Sequence, residues 1–167
     1  MHLLWQVSDW ADRLARWLLV PIGICFISVV FLGVLTRYVF HAPIVSSIEL
    51  ARISFVWAAF LGAAICVKGE KHTRFAFLLD AVPGRGRAVL KVMIALLCLG
   101  FFAFLVVKGV QMVRMVESTY FPALGWSQLW LYLPLPLSAC CMFLHALAFL
   151  GRDLNALLSQ TGQGGGR

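Results

Sequence analysis

Seven acids, four histidines and five cysteines are the side chains with which this 167-residue chain could do chemistry. Most of them stand where the corresponding chemistry cannot run. Thiol–disulfide exchange needs a reactive cysteine exposed to its partner, yet Cys25, Cys66, Cys98, Cys140 and Cys141 all fall inside long apolar runs, where they read as packing residues. A haem-carrying helical bundle needs facing histidines as axial ligands. Here only His145 lies within an apolar run, and it reads as a packed, hydrogen-bonded group, while His2, His41 and His72 fall in the terminus or in connections. Neither Cys nor His shows metal spacing. The acids are Asp9, Asp12, Glu49, Glu70, Asp80, Glu117 and Asp153, and Glu49 alone falls in an apolar run, near its start. A small proton-coupled exporter needs a carboxylate deep in its first crossing, and Trp17 to Leu35 has none. With no Ser/His/Asp set, no Gly-rich phosphate loop and no paired carboxylates, the chain is expected to be no enzyme and to carry no cofactor or metal.

The elements that hold these residues follow from composition. The chain is 62% hydrophobic and 13% charged, against about half and about a quarter in soluble domains, so it belongs in a membrane. At roughly 20 apolar residues per crossing, four transmembrane helices are expected, over about 17–35, 47–67, 88–116 and 126–150. They make one all-α domain over 1–155, followed by a flexible tail over 156–167. The first run lacks a small-x-small cleavage site and reads as retained. Pro134 and Pro136 predict a kink or local break in the fourth crossing. Lys108, near one end of the third, reads as a side chain that snorkels to the headgroups.

Ten of the fourteen basic residues fall in the amino terminus, the 68–91 connection and the carboxyl tail. The positive-inside rule therefore predicts both termini in the cytoplasm, and the net charge of +7 is explained by topology rather than by nucleic-acid binding. Two short amphipathic helices are expected at the membrane surface. One carries Leu3, Val7, Trp10 and Leu14 against Asp9, Asp12 and Arg13; the other carries Phe75, Leu78, Leu79 and Val82 beside Lys71, His72 and Arg74. Lys71, Arg74, Arg85 and Arg87 are expected to touch anionic lipid.

The outer connection carries the densest pattern, Arg37-Tyr38-Val39-Phe40-His41-Ala42-Pro43 and then Ser46-Ser47-Ile48-Glu49-Leu50-Ala51-Arg52. Ser46 and Glu49 have capping-box spacing, and Glu49 and Arg52 sit at i, i+3 on one helical face. A capped helix start with an ion pair accounts for the spacing; a shielding partner protein accounts for so polar a start beside hydrocarbon. Ser54, Ala58, Gly62 and Cys66 then recur every fourth residue, and small residues at this spacing admit a second helix, from this chain or from another subunit.

In these residues the chain resembles the small membrane subunit of tripartite ATP-independent periplasmic (TRAP) transporters, the DctQ-like proteins. The resemblance covers roughly residues 11 to 155. It rests on Arg37-Tyr38-Val39-Phe40 with Pro43, Glu49-Leu50-Ala51-Arg52, Phe55-Val56-Trp57 leading to Gly62-Ala63-Ala64, and Lys68-Gly69-Glu70-Lys71-His72. It continues in Phe121-Pro122-Ala123-Leu124-Gly125-Trp126 before Trp130-Leu131-Tyr132-Leu133-Pro134-Leu135-Pro136. The family commonly has a Trp and two consecutive acids before the Leu-Ala-Arg unit; this chain has Ile48-Glu49 and retains the second acid only.

The resemblance implies a bacterial inner-membrane subunit without a cargo site of its own. A large multi-helix membrane subunit would carry cargo and coupling ion, usually sodium, and a periplasmic substrate-binding protein would deliver an organic acid. It implies interface or structural roles for Glu49 and Arg52, a shaping role for Arg37, Tyr38 and Pro43 in the outer connection, and helix contact at Ser54, Ala58 and Gly62. The rival readings are a membrane anchor of a respiratory or other enzyme complex and a self-sufficient exporter.

Overall fold

The computed structural model describes residues 2–42, 44–68 and 85–162, with side chains between residues 6 and 151 apart from Arg85 and Ala88. Pro43, the expected surface helix with Lys71, His72 and Arg74, and residues 163–167 lie outside the described residues.

The first helix, α1, runs unbroken over His2–Tyr38. The amino-terminal stretch expected to lie flat on the membrane is instead the first turns of the first crossing. No glycine or proline interrupts residues 2–20, so nothing ends the helix before the apolar run begins. Pro21 removes one backbone donor, and the helix continues through it. At 37 residues the helix is about 55 Å long at the helical rise, well beyond a ~30 Å hydrocarbon core, and its charge-free part begins only at Trp17.

Residues 39–44 turn the chain into α2, Val45–Lys68, and α3 follows over Arg85–Val116. After the connection 117–128 comes a single turn, α4, Leu129–Tyr132, and then the long α5, Pro134–Gly162. Four helices among the described residues are long and apolar enough to cross a membrane. The fourth crossing is broken at Leu133, as the prolines predict, one turn from its start. Pro134 opens α5, where a missing N–H costs no helical bond, and Leu133 N–H to Leu129 carbonyl (2.9 Å) bridges the break. The flexible tail expected from residue 156 is helical to Gly162. Leu154, Ala156, Leu157 and Leu158 favour helix, and the Gly-rich stretch begins only at Gly162.

Packing is most extensive between α1 and α2 and between α3 and α5, and α2 and α5 join the two pairs. The last crossing is consequently the inner helix and the most buried of the four, and α1 is the most exposed. One core cluster combines Ala64 of α2, Phe102 of α3, and Met142 and Ala146 of α5. A second gathers Ile53, Phe121 and Leu131 at the end where residues 117–128 lie, hereafter the loop end. Much of the buried surface of α5 is small, with Ser138, Ala139, Ala146 and Ala148, which lets neighbouring backbones approach where no hydrophobic effect drives helices together in lipid.

The tightest approaches are at glycines outside the Ser54-Ala58-Gly62 stripe. A Cβ on Gly33 would stand 3.0 Å from Ser47 Oγ, and one on Gly109 3.0–3.1 Å from the ring and backbone nitrogen of Pro136, whereas one on Gly62 or Gly100 would meet nothing within 4 Å. Gly109→Val should lower the thermal midpoint in detergent, at an overpacking cost of about 1–3 kcal/mol. Gly100→Ala should leave it unchanged or raise it slightly.

Candidate functional site

Glu49 does not pair with Arg52. Its carboxylate crosses to the 117–128 connection and accepts two backbone hydrogen bonds, from Ala123 N–H to Oε1 (3.2 Å) and from Leu124 N–H to Oε2 (2.8 Å). The neighbouring Ser46 donates from Oγ to the Ala123 carbonyl at 3.4 Å. The expected capping box is therefore replaced by a clamp in which both of its members reach another segment. The start of α2 is held by Ser47 instead, whose N–H and Oγ both donate to the Ile44 carbonyl (3.1 and 2.7 Å).

The clamped segment is a single turn. Gly125 N–H donates to the Phe121 carbonyl (2.9 Å), with Pro122 set early in the turn and Gly125 at φ +68° closing it. Such a turn leaves its first N–H groups without partners in the segment. An anionic acceptor on them makes a charge-assisted bond, roughly twice as strong as a neutral one. Around it the chain folds back on itself. Phe121 N–H donates to the Trp126 carbonyl (2.8 Å), Gln128 N–H to the Thr119 carbonyl (2.7 Å) and Ser127 Oγ to the Glu117 carbonyl (2.8 Å). The Phe121 ring, 4% exposed, plugs the cluster with Ile53 and Leu131, and Trp57 Nε1 donates to the Trp130 carbonyl at 2.8 Å.

Arg37 and Tyr38 sit exposed in the last turn of α1. The chain is turned there by backbone bonds, among them Ala42 N–H to the Thr36 carbonyl (3.0 Å), and by His41 at φ +52°, a left-handed position that non-glycine residues rarely take. Ser54 is buried with its Oγ 3.8 Å from Cys25 Sγ on α1, Ala58 is half-buried, and Gly62 is open on its Cβ side. Arg52 is exposed, on the side of α2 away from the core residues Ile53 and Leu61. Lys108 Nζ donates to Gln111 Oε1 (3.2 Å) and stands 5.9 Å from the Phe104 ring centre. Arg85 opens α3 and Arg87 lies exposed in the same turn.

At the opposite end the structure assembles a polar cluster to which the family motifs contribute Lys68 alone. Lys68, the last residue of α2, donates from Nζ to the Ser8 carbonyl (2.9 Å) and to Asp9 Oδ1 (2.6 Å), and lies 3.9 Å from Asp12 Oδ2. Arg16 Nε donates to Asp12 Oδ2 at 2.9 Å. His145 of α5, 1% exposed, shares a 2.7 Å hydrogen bond with Ser8 through Nδ1. His145 is thus the packed, hydrogen-bonded group that its apolar setting predicts. The missed signal is the helical repeat Ser8-Asp12-Ala15, which forms the buried face of a helix rather than the wet face of a surface one.

Residues 26–156 match the family described as Tripartite ATP-independent periplasmic transporters, DctQ component. The chain belongs to this family. Among its relatives, a Haemophilus influenzae protein named a putative TRAP transporter small permease protein is 24% identical over 148 residues, 89% of this chain and 90% of the relative. The Vibrio cholerae sialic acid TRAP transporter small permease protein SiaQ is 26% identical over 139 residues, 83% of this chain and 80% of SiaQ. The Haemophilus influenzae sialic acid TRAP transporter permease protein SiaT is 29% identical over 134 residues, 78% of this chain but only 21% of SiaT. This DctQ-family chain is thus a small permease subunit of a TRAP transporter and a multi-pass membrane protein.

Lys68→Met should break the network at the Lys68 end, leaving Asp12 with Arg16 alone, and should lower stability measurably, since Asp9 is half exposed but Lys68 and Asp12 are mostly buried. Unfolding in a graded detergent mixture measures this, and Arg52→Met, which breaks no bond among the described residues, should fall within about 0.5 kcal/mol of the parent.

Proposed function

We propose that this subunit is a rigid membrane scaffold that holds the large multi-helix TRAP subunit in place while that subunit carries cargo and coupling ion. The observation that carries the reading is how its polar groups are used. Several of its polar side chains are tied to other elements of the same chain at its two ends: Glu49 on Ala123 and Leu124, Lys68 on Ser8 and Asp9, His145 on Ser8; among the described residues Ser138 Oγ and Asp12 Oδ1 are buried without a partner. Between the ends the core is Ala64, Phe102, Met142 and Ala146, with nothing to bind a charged cargo. Buried ionisable groups are where a transporter would be expected to keep its cargo and ion sites, and here Glu49, Lys68 and His145 are engaged in contacts between elements.

The loop end faces the periplasm and both termini the cytoplasm, because ten of the fourteen basic residues belong to the other end. The clamped turn 121–125 and the exposed Tyr120 and Trp126 beside it then help dock a periplasmic substrate-binding protein. Lys71, Arg74, Arg85 and Arg87 contact anionic lipid of the cytoplasmic leaflet. The cargo is an organic acid, since SiaT and SiaQ are named for sialic acid, and uptake is driven by an ion gradient, usually sodium, without ATP. The small permease relatives favour this over an anchor subunit of an enzyme complex and over a self-sufficient exporter.

Proteoliposomes test the division of labour. This chain alone should take up no organic acid above the protein-free background, and the chain with its large subunit, binding protein and an inward sodium gradient should accumulate it. Uptake by the chain alone would overturn the scaffold reading.

A further inference from the structure

We infer that the outward face of α2, and not that of α1, is covered by a helix of the larger permease chain, and that this helix presents an Asp or Glu carboxylate to Arg52. The inference rests on the subunit reading above and adds the face and the pairing. Both helices leave a continuous stripe uncovered. On α1 it is Trp10, Trp17, Val20, Ile24, Ile27, Phe31, with Trp17 79% exposed. On α2 it is Ile48, Arg52, Phe55, Ala59, Ala63 and Cys66, all exposed and at spacings of three and four residues.

The two stripes differ in chemistry. Bulky aromatic and branched side chains need nothing but acyl chains to cover them, and Trp10 and Trp17 suit a headgroup boundary. Small side chains allow a neighbouring backbone to come close, which is how helices associate in lipid. Ala59, Ala63 and Cys66 give α2 such a surface, and Gly62 beside them has open space where a Cβ would be.

Arg52 says what must cover it. Glu49, the acid nearest in sequence, is engaged on Ala123 and Leu124, and Arg52 has no hydrogen bond or ion pair among the described residues. It stands seven residues into α2, about 10 Å along the axis, on the same face as the small residues. A guanidinium there needs an anion at that depth, and charged groups within crossings characteristically pair with one another. A bidentate carboxylate on the approaching helix meets its geometry. SiaT, of which the segment matching this chain is 21%, shows the same kind of segment inside a larger permease protein.

The experiment co-expresses the tagged chain with the larger permease chain of its transporter and measures how much permease is recovered with it. Ala59→Trp and Arg52→Leu should each lower recovery by about tenfold or more, Arg52→Lys should restore most of it, and Ile27→Trp on α1 should leave it unchanged. A second reading needs no variant: a lipid-soluble maleimide should label Cys66 at least several-fold more slowly in the complex than in the chain alone. Unchanged recovery with Ala59→Trp and Arg52→Leu, including the case in which Arg52 rests on a lipid phosphate, overturns the inference, as do equal labelling rates at Cys66 or loss of permease with Ile27→Trp. If the parent chain recovers no permease, the subunit reading itself fails and the inference falls with it.

Discussion

The two hydrogen bonds from Ala123 and Leu124 to the Glu49 carboxylate are the contact on which the loop end depends. The 117–128 connection has a turn whose first N–H groups have no acceptor within the segment, and Glu49 supplies one from α2. Because that turn is fixed, Phe121 is held in its cluster with Ile53 and Leu131, Trp57 reaches the Trp130 carbonyl, and α4 and α5 begin where they do.

The other end is held by different means to the same effect. Lys68 joins the end of α2 to the first turns of α1, and Ser8 joins those turns to His145 on α5. The extra length of α1 has a use in this: Ser8, Asp9 and Asp12 are the partners of Lys68 among the described residues. Polar bonds therefore brace the bundle at both ends, while close approach at Gly33 and Gly109 and small side chains along α5 pack its length.

Much of this was legible in the sequence. Four apolar runs of crossing length, the prolines at the head of the fourth crossing and the family motifs around Glu49 lead to the fold and to the family. What spacing could not give was the partner of each polar group. Ser46-Glu49 and Glu49-Arg52 have the spacings of local helix contacts, but Glu49 makes its bonds more than seventy residues away, with Ala123 and Leu124. Asp9 and Asp12 look solvated because they alternate with apolar residues, and their partner Lys68 is distant in sequence. Local pattern reports which face of a helix is polar; only the tertiary arrangement reports whether that face meets water or another helix. Gly33 and Gly109 carry no local mark for the same reason, since close approach depends on what stands opposite.

Glu49 organises the loop end by accepting the Ala123 and Leu124 amides. Amide hydrogen exchange on the subunit in a bilayer mimetic, resolved at those two residues, tests it most directly. Both amides should be protected in the parent chain and in Arg52→Ala, and should lose that protection, by about tenfold or more, in Glu49→Ala. Protection unchanged in Glu49→Ala, or lost equally in Arg52→Ala, would contradict it.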